Sequence, residues 1–309
     1  MTATAPTITP EQKAAPAPRR VFSRARTANR TLGVVRWVII AGFLLTVLVP
    51  FYYMFLLSVR PIEALLRDPG SLWIPANEFT LQTYVEVLKS VDQGGQGFLT
   101  FLANSGIVAI GSVVIALLVA IPGAYAVARL PFFGRRQVNA LFIATYLFPA
   151  IVIAIPLFVL FTRVGLRGSL LGLILVYTAQ TVPVAIYMLR NYFDTVPVSI
   201  EEAGLVDGLS RLGILWRITL PLSMPSIVAT GLFVFMIAWN EFLFALLFLV
   251  DNRNAWTVSL GLSRLAGSIE VPTTVLMAGS VVLTVPIIVL FFLTERLLTG
   301  GLVAGAEKG

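Results

Sequence analysis

The feature that most constrains this chain is a series of long stretches without a charged residue. Twenty-three uncharged residues lie between Arg36 and Arg60, about 34 Å as an α-helix, which is enough to cross the hydrocarbon core of a bilayer. Four more uncharged stretches, and one interrupted only by Glu241, cover residues 102–128, 138–162, 168–189, 271–294 and 227–250. The pattern predicts an all-α membrane protein with six transmembrane helices.

The amino-acid composition excludes several classes of function. Hydrophobic residues make up 58% of the chain and charged residues 12%, whereas soluble domains carry about a quarter charged residues. The net charge of +7 does not indicate nucleic-acid binding, because seven of the twenty-two basic residues precede the first apolar stretch, where basic residues set membrane orientation. Cysteine and histidine are absent, which excludes disulfides, thiolate or imidazole catalysis and Cys/His metal sites.

The distribution of basic residues predicts the orientation of the chain. With the N-terminus inside, fifteen of the twenty-two Lys and Arg residues lie in cytoplasmic segments, as the positive-inside rule requires. Arg163 and Arg167 lie in a short outer loop and oppose this bias. We therefore expect a multi-pass protein of the bacterial cell membrane with both termini in the cytoplasm.

The same pattern divides the chain into three parts. Residues 1–33 are rich in Pro, Ala and Thr and predict a disordered cytoplasmic tail, residues 34–298 the six-helix domain, and residues 299–309 a cytoplasmic C-terminal tail. Residues 60–97 form the longest outer loop, in which the spacing of apolar residues in "FTLQTYVEVL" predicts a short helix. Residues 197–222 form a polar cytoplasmic loop between the fourth and fifth spans.

No nucleotide site is expected on this chain. The ATP-binding P-loop needs a lysine after a glycine-rich turn, and none of the three lysines, Lys13, Lys89 and Lys308, follows such a turn. The chain is therefore predicted not to be an enzyme and to hold no cofactor. If ATP drives it, a separate subunit must bind ATP with its magnesium ion.

The 197–222 loop, "VSIEEAGLVDGLSRLGILWRITLPL" from Val198 onward, predicts two short helices. Ser199 and Glu202 have capping-box spacing, so the first helix should start near Ile200 and end at Asp207-Gly208, where glycine permits a left-handed backbone. Ala203 and Gly204 give this helix a small face that a partner protein could approach closely.

A second helix is predicted from Ser210 to Thr219, with Leu212, Leu215 and Trp216 on one face. Leu220-Pro221 should close it, since proline opposes continuation of a helix. Two interpretations stay open on physical grounds: an amphipathic connector between two spans, or a helix that docks in a groove of another protein.

The spacing within this loop carries a family resemblance. It consists of Glu202-Ala203-Gly204, three residues, Gly208, nine residues, Ile218, one residue and Leu220-Pro221. This resembles the EAA loop of ABC importer permeases, Glu-Ala-Ala, three residues, Gly, nine residues, Ile, one residue, Leu-Pro. The departure is Gly204, where the family usually has alanine; glycine weakens a helix by about 1 kcal/mol relative to alanine.

The resemblance covers nearly the whole chain after residue 35. "FLANSGIVAIGSVVIALLVAIPGAYAVARLPFFGRR", "IPLFVLFTRVGLRGSLLGLILVYTAQTVPVAIYMLRNYF", "AWNEFLFALLFL" and "TERLLTGGLVAGAEKG" are similar to the MalG-like permeases of carbohydrate importers. This implies the MetI-like fold of a type I ABC importer and a disaccharide or related substrate such as trehalose. The implied partners are a second, MalF-like permease, two copies of an ABC ATPase, an extracytoplasmic sugar-binding lipoprotein and membrane lipid.

The resemblance also implies two sets of functional residues. The first helix of the 197–222 loop would sit in a cleft of the ATPase. The residues assigned to this coupling are Glu201, Glu202, Ala203, Gly204, Asp207, Gly208, Ile218, Leu220 and Pro221.

A sugar needs hydrogen-bonding side chains and aromatic faces in a setting where unpaired polar groups are costly. The candidates for the substrate path are Trp239, Asn240, Glu241, Tyr177, Gln180, Tyr146 and Asn104. Hydrogen bonds between helices, or an aromatic belt at the membrane surface, explain the same residues.

Two other function classes deserve comparison with an ABC permease. A single-chain secondary sugar transporter would depend on protonation of Glu241, but that carboxylate is the only ionisable residue well within a predicted span, a thin basis for a proton relay. An intramembrane enzyme is disfavoured by the absence of His, Cys and an acid pair.

Overall fold

The computed structural model describes residues 22–306, with side chains described for all of these except residues 22–31, 139, 143, 146 and 298–306. Every regular element within this range is helical, which agrees with the predicted all-α class. The described chain divides into two compact units, the first ending at Tyr52 and the second beginning at Tyr53. The first contributes most of α1 (Phe22–Ser58), and the second contains all later elements.

Thirteen further α-helices follow α1 in the described part of the chain. They are α2 (Ile62–Arg67), α3 (Gln82–Leu88), α4 (Phe98–Arg129), α5 (Arg135–Leu147), α6 (Ala150–Arg163), α7 (Leu170–Phe193), α8 (Val198–Val206), α9 (Arg211–Ile214), α10 (Leu220–Leu222), α11 (Met224–Asn240), α12 (Leu243–Leu249), α13 (Val258–Ala266) and α14 (Thr273–Ala306). A π-helical segment, Leu215–Thr219, joins α9 to α10.

Four of the six predicted spans are single helices in the structure. The stretches that are long and apolar enough to cross a membrane are Leu32–Ser58, Phe98–Arg129, Leu170–Phe193 and Thr273–Leu297. A fifth is present if Arg211–Leu222 and Met224–Asn240, which meet at an angle of 81°, form one bent span. The third and fifth predicted spans are each divided between two helices.

Pro149 divides the third predicted span. α5 ends at Leu147, Phe148 and Pro149 are extended, and α6 begins at Ala150. Proline lacks an N–H group and forces the preceding residue out of the helical region. The uncharged stretch 138–162 is therefore not one continuous helix, because charge alone does not register the break.

Glu241 divides the fifth predicted span. α11 ends at Asn240, Glu241 is extended, and α12 begins at Leu243. Both carboxylate oxygens of Glu241 accept the N–H of Phe244 at 3.1 Å, which satisfies a free donor at the start of α12. The acidic residue in this stretch is therefore where the helix stops.

α4, α7 and α11 form the centre of the second unit. α4 packs along α7, and both contact α11. Small residues allow this close approach: a Cβ added at Gly111 of α4 would lie 2.9 Å from Ile174 Cδ1 of α7, and Ala116, Ala120 and Ala124 of α4 are fully buried. These helices carry the residues that hold the 197–222 loop.

The segment between α1 and α4 contains the short helix predicted there, α3, which packs against α4 and α14. An ion pair joins Nη2 of the buried Arg60 to Oε2 of the half-buried Glu78 at 2.6 Å. At the ends, α1 begins at Phe22 and α14 runs to Ala306, so both helices extend into segments predicted to be tails. Residues 1–21 and 307–309 lie outside the described residues.

Candidate functional site

The first helix of the 197–222 loop is α8, and its predicted start is wrong. Pro197 precedes the helix, and no side chain caps it. The helix already begins at Val198, so Ser199 lies in its first turn and the capping box with Glu202 does not form. Pro197 still sets the boundary, because its carbonyl oxygen accepts the N–H of Ile200 at 3.2 Å.

The predicted end of α8 is confirmed. Gly208 has φ +87°, its N–H donates to the Leu205 carbonyl at 3.0 Å, and the N–H of Leu209 donates to the Gly204 carbonyl at 2.9 Å. This pair of bonds is the Schellman motif, which glycine permits at low steric cost. The chain turns here and enters α9, whose N-cap Ser210 accepts the N–H of Gly213 at 3.2 Å.

The second helix of the loop buries a different face from the predicted one. Leu215 is 2% exposed, but Leu212 is 65% and Trp216 59% exposed. The buried residues are Ile214, Leu215 and Thr219. The prediction assumed 3.6 residues per turn throughout, whereas residues 215–219 are π-helical, which changes the spacing of the buried positions.

α8 has one buried and one exposed face. Glu201 and Gly204 are buried, and Leu205 is half-buried, a spacing of three and four residues that places them on the same side of a helix. The motif residues on the opposite side and at the turn are exposed: Glu202, Ala203, Asp207 and Gly208. No ion pair involves Glu202 or Asp207 among the described residues.

Gly204 does not belong to the exposed face, which corrects the prediction of a small outer surface made by Ala203 and Gly204. A Cβ added at Gly204 would lie 2.7 Å from Ile218 Cδ1. Two positions of the motif, Gly204 and Ile218, are therefore in contact. Glycine at position 204 lets the second helix approach α8 closely, and Ala203 alone supplies a small outward residue.

Glu201 is also buried, at 1% exposure, although it was predicted among the docking residues. Its Oε1 accepts from Arg129 Nε and from Thr219 Oγ1, both at 3.0 Å. Its Oε2 accepts from the Tyr125 hydroxyl at 3.5 Å. The carboxylate is thus compensated within the chain, with α4 supplying two of its three donors.

Arg129 extends this network to the end of α7. Its Nη2 donates to the carbonyl oxygens of Phe193 at 2.6 Å and Val196 at 2.7 Å. Arg129, Tyr125 and Thr219 were not identified from the sequence, where Arg129 counted only as an orienting charge. A separation of 72 residues between Arg129 and Glu201 leaves no local pattern that links them.

The remaining motif residues form the end of the loop. Ile218 and Leu220 are half-buried, and Pro221 is exposed. Leu220 packs against the cluster that includes Leu189, Phe193 and Leu215. The Leu-Pro end of the motif therefore packs the end of the second helix against α7.

Among the substrate-path candidates, the structure joins Tyr177 to Glu241. The Tyr177 hydroxyl donates to Glu241 Oε2 at 2.5 Å, across the contact between α7 and the end of α11. Tyr177 is fully buried and Glu241 is half-buried. The pair lies at the break between α11 and α12, where the carboxylate also accepts the N–H of Phe244.

Two other candidates hold elements together. Trp239, 4% exposed, donates its Nε1–H to the Leu283 carbonyl of α14 at 3.1 Å. Asn104, 8% exposed, donates through Nδ2 to the carbonyls of Asn254 and Trp256 at 2.8 and 2.9 Å. Their donor groups are therefore used inside the protein, as the helix–helix alternative expects.

The last three candidates differ in their surroundings. Asn240 is exposed and donates to the Met236 carbonyl of its own helix at 2.9 Å. The buried Nε2 of Gln180 has no hydrogen-bond partner among the described residues. The side chain of Tyr146 lies outside the described residues.

Comparison with known proteins identifies the family. The family model for the binding-protein-dependent transport system inner membrane component matches residues 112–299, which is more than half of the chain. This range includes the whole 197–222 loop and the Tyr177–Glu241 pair.

Three relatives match over most of their length. The inner membrane ABC transporter permease protein YcjP of Escherichia coli is 37% identical, covering 92% of this chain and 99% of its own. The trehalose/maltose transport system permease protein MalG of Thermococcus litoralis is 35% identical, covering 88% and 96%. The trehalose transport system permease protein SugB of Mycobacterium tuberculosis is 34% identical, covering 85% and 93%.

A solved structure supports the fold. A bacterial ABC transporter involved in the import of the acidic polysaccharide alginate contains a chain that superposes with a TM-score of 0.74 at 24% identity, over 87% of this chain and 97% of that one. The arrangement of the helices, the match to the family model and the relatives that cover most of this chain indicate the same family and fold. The chain belongs to the binding-protein-dependent transport system inner membrane components, and its fold is that of the MetI-like ABC importer permeases.

Proposed function

We propose that this permease forms half of the translocation path of an ATP-driven importer for a disaccharide or related carbohydrate, trehalose being the favoured substrate. The support for a sugar is the identity of 34–35% to two permeases named for trehalose or for trehalose and maltose. The proposed location is the bacterial cell membrane with both termini in the cytoplasm, which rests on the distribution of Lys and Arg.

The observation that carries the coupling proposal is the division of α8 into two faces. Its exposed face presents Glu202 and Asp207 without an ion pair among the described residues, with the small Ala203 and with Val206, which is 88% exposed. A short helix with exposed acids and an exposed apolar residue suits a groove lined by basic and apolar groups. We assign that groove to the ATPase.

The proposed complex contains several other proteins. ATP and its magnesium ion bind to a separate ATPase, because no P-loop is present in this sequence. Two copies of that ATPase take part, one on each permease. A second, MalF-like permease completes the path, and a sugar-binding lipoprotein delivers the substrate at the face opposite the 197–222 loop. This chain needs no cofactor of its own in that scheme.

For the substrate path we propose the region around the break between α11 and α12. Glu241 is half-buried at that break, Asn240 next to it is exposed, and Gln180 carries a buried amide donor that is unpaired among the described residues. A sugar hydroxyl can accept from that amide or donate to the carboxylate. Trp239, Tyr177, Asn104 and Tyr146 remain further candidates for the same path.

The test of the coupling proposal is a charge reversal in the reconstituted complex. Glu202→Lys should lower ATPase association and ATP-dependent sugar uptake at least about tenfold, because a lost charge pair at an interface costs on the order of 2 kcal/mol or more. Asp92→Lys is the matched control, since Asp92 is an exposed acid beyond the opposite end of α4. Full ATPase association and sugar uptake by Glu202→Lys would overturn the assignment.

The same preparation separates an importer from a secondary transporter. An ATP-driven importer stops when vanadate traps its ATPase, and this chain alone transports nothing. Uptake driven by a proton gradient in vesicles that contain only this chain would support the secondary transporter instead. The engagement of Glu241 with Tyr177 and with the N–H of Phe244 favours a structural use of that carboxylate over a proton relay.

A further inference from the structure

The ion pair between Arg129 and Glu201 joins parts of the chain that are distant in sequence. Arg129 is the last residue of α4, and Glu201 lies in the first turn of α8. The side chains are 8% and 2% exposed, and Arg129 Nε lies 3.0 Å from Glu201 Oε1. The family motif begins at Glu202, so neither residue is part of it.

Both oxygens of Glu201 and all three nitrogens of Arg129 have partners within the chain. Glu201 accepts from Arg129 and Thr219 on one oxygen and from Tyr125 on the other. Arg129 also donates through Nη2 to the carbonyl oxygens of Phe193, the last residue of α7, and of Val196 in the turn after it, and its Nη1 lies 3.8 Å from Asp194 Oδ1. A buried ion pair stabilises a fixed geometry only when its other donors and acceptors are also satisfied, and that condition is met.

The network ties α8 to three elements at one point. These elements are α4 through Arg129 and Tyr125, the end of α7 through the carbonyls of Phe193 and Val196, and the π-helical segment through Thr219. Gly204 of α8 also contacts Ile218, and this apolar contact joins α8 to the second helix of the same loop. The polar network joins α8 to the long helix α4 and to the end of α7.

From this geometry we infer that Glu201 and Arg129 are positioning residues that make α8 move together with α4 and α7. This rests on the proposed docking of α8 on an ATPase. A displacement of α8 by the ATPase is passed through the short charged contact to the end of α4, which continues for about 48 Å to its other end at Phe98. Without the pair, α8 shifts relative to α4, and ATP hydrolysis no longer drives the full movement of the path.

The test measures sugar imported per ATP hydrolysed in the complete reconstituted complex. Glu201→Gln removes the charge but keeps the size of the side chain, and Arg129→Lys keeps the charge but loses the forked donors. Each should lower the ratio about fivefold, the effect of losing on the order of 1 kcal/mol of coupling, while ATPase association stays at the wild-type level. Thr219→Val removes one donor to Glu201 at nearly constant volume and should lower the ratio by a smaller factor.

A purely structural role has a different signature. It would reduce the amount of complex, its ATP hydrolysis and its transport together and leave the ratio unchanged. An unchanged ratio in Glu201→Gln and Arg129→Lys overturns the inference, as does an unchanged ratio in Thr219→Val if the other two do not accumulate.

The matched control is Asp92→Asn, which removes the charge of an exposed acid beyond the opposite end of α4. It should leave both ATPase association and the ratio at the wild-type value. A wild-type complex in which sugar uptake does not depend on ATP would instead overturn the proposed function, and the two failures are therefore distinguishable.

Discussion

Glu201 and Glu241 are both held inside the chain, but by different kinds of partner. Glu201 is fully buried and faces a guanidinium group, a hydroxyl and a phenol. Glu241 is half-buried and is held by a phenol and a backbone N–H, with no ion pair among the described residues. One carboxylate is neutralised by an opposite charge, and the other is stabilised by dipoles alone.

The difference assigns the two regions different roles. A carboxylate paired with arginine and cut off from water is a fixed attachment, since separating the pair leaves a buried charge uncompensated. A half-buried carboxylate without a cation among the described residues keeps part of its hydrogen-bonding capacity for another molecule. The buried pair therefore fixes α8 firmly to α4, whereas the break between α11 and α12 fits the proposed contact with a sugar.

The largest expected effect comes from breaking the Arg129–Glu201 pair on one side only. Glu201→Ala or Arg129→Ala should each lower the free energy of unfolding by about 3–5 kcal/mol, because the remaining buried charge loses its closest ion-pair partner. Arg129 keeps Asp194 Oδ1 at 3.8 Å from its Nη1, so Glu201→Ala should lie at the lower end of this range. The double variant should lose less than the sum of the two single losses. Unfolding of the purified permease in detergent micelles, followed by denaturant titration, measures all three. Additive losses would show that the two residues act independently.

A smaller effect is expected at the Tyr177–Glu241 pair. Tyr177→Phe removes one hydrogen bond to a charged acceptor and should lower the free energy of unfolding by about 2 kcal/mol. Glu241→Gln should lose less, because the amide oxygen still accepts the N–H of Phe244. Denaturant titration in the same micelles provides the comparison. If Glu241→Gln destabilised the protein as strongly as Glu201→Ala, the contrast between the two carboxylates would be wrong.

The smallest effect is expected at Gly204. Gly204→Ala gains about 1 kcal/mol of helix propensity, but its new methyl group would lie 2.7 Å from the end of the Ile218 side chain, so that residue must shift. We expect a net change below about 1 kcal/mol. Adding Ile218→Val, which removes the contacting Cδ1, should make the alanine variant more stable; a further loss of stability would contradict the assigned contact.

Much of this fold could be predicted because it follows from local sequence patterns. The uncharged stretches predicted the long helices α1, α4, α7 and α14, and the Asp207-Gly208 turn was predicted from the conformational freedom of glycine. The third and fifth spans were harder to predict, since their breaks depend on Pro149 and on a carboxylate that replaces a helical hydrogen bond. The charge pattern marks Glu241 but does not show that its carboxylate ends the helix, and it does not register Pro149 at all.

The site was less predictable than the fold for a physical reason. The motif spacing identified α8 and its second helix but did not reveal which side of each faces inward. The partners of Glu201 come from Tyr125, Arg129 and Thr219, which no helical periodicity connects to it. The inward position of Gly204 likewise depends on the approach of Ile218 from the following helix.

The attachment of α8 also has a consequence for the biogenesis of the protein. Synthesis proceeds from the N-terminus, so Arg129 is made long before Glu201, and Thr219 is added only after the whole of α8 has been translated. The polar network that attaches α8 is therefore incomplete until the chain has been translated through residue 219 and α4 has packed along α7. A permease truncated before residue 219 would therefore carry α8 without the complete network that attaches it to α4.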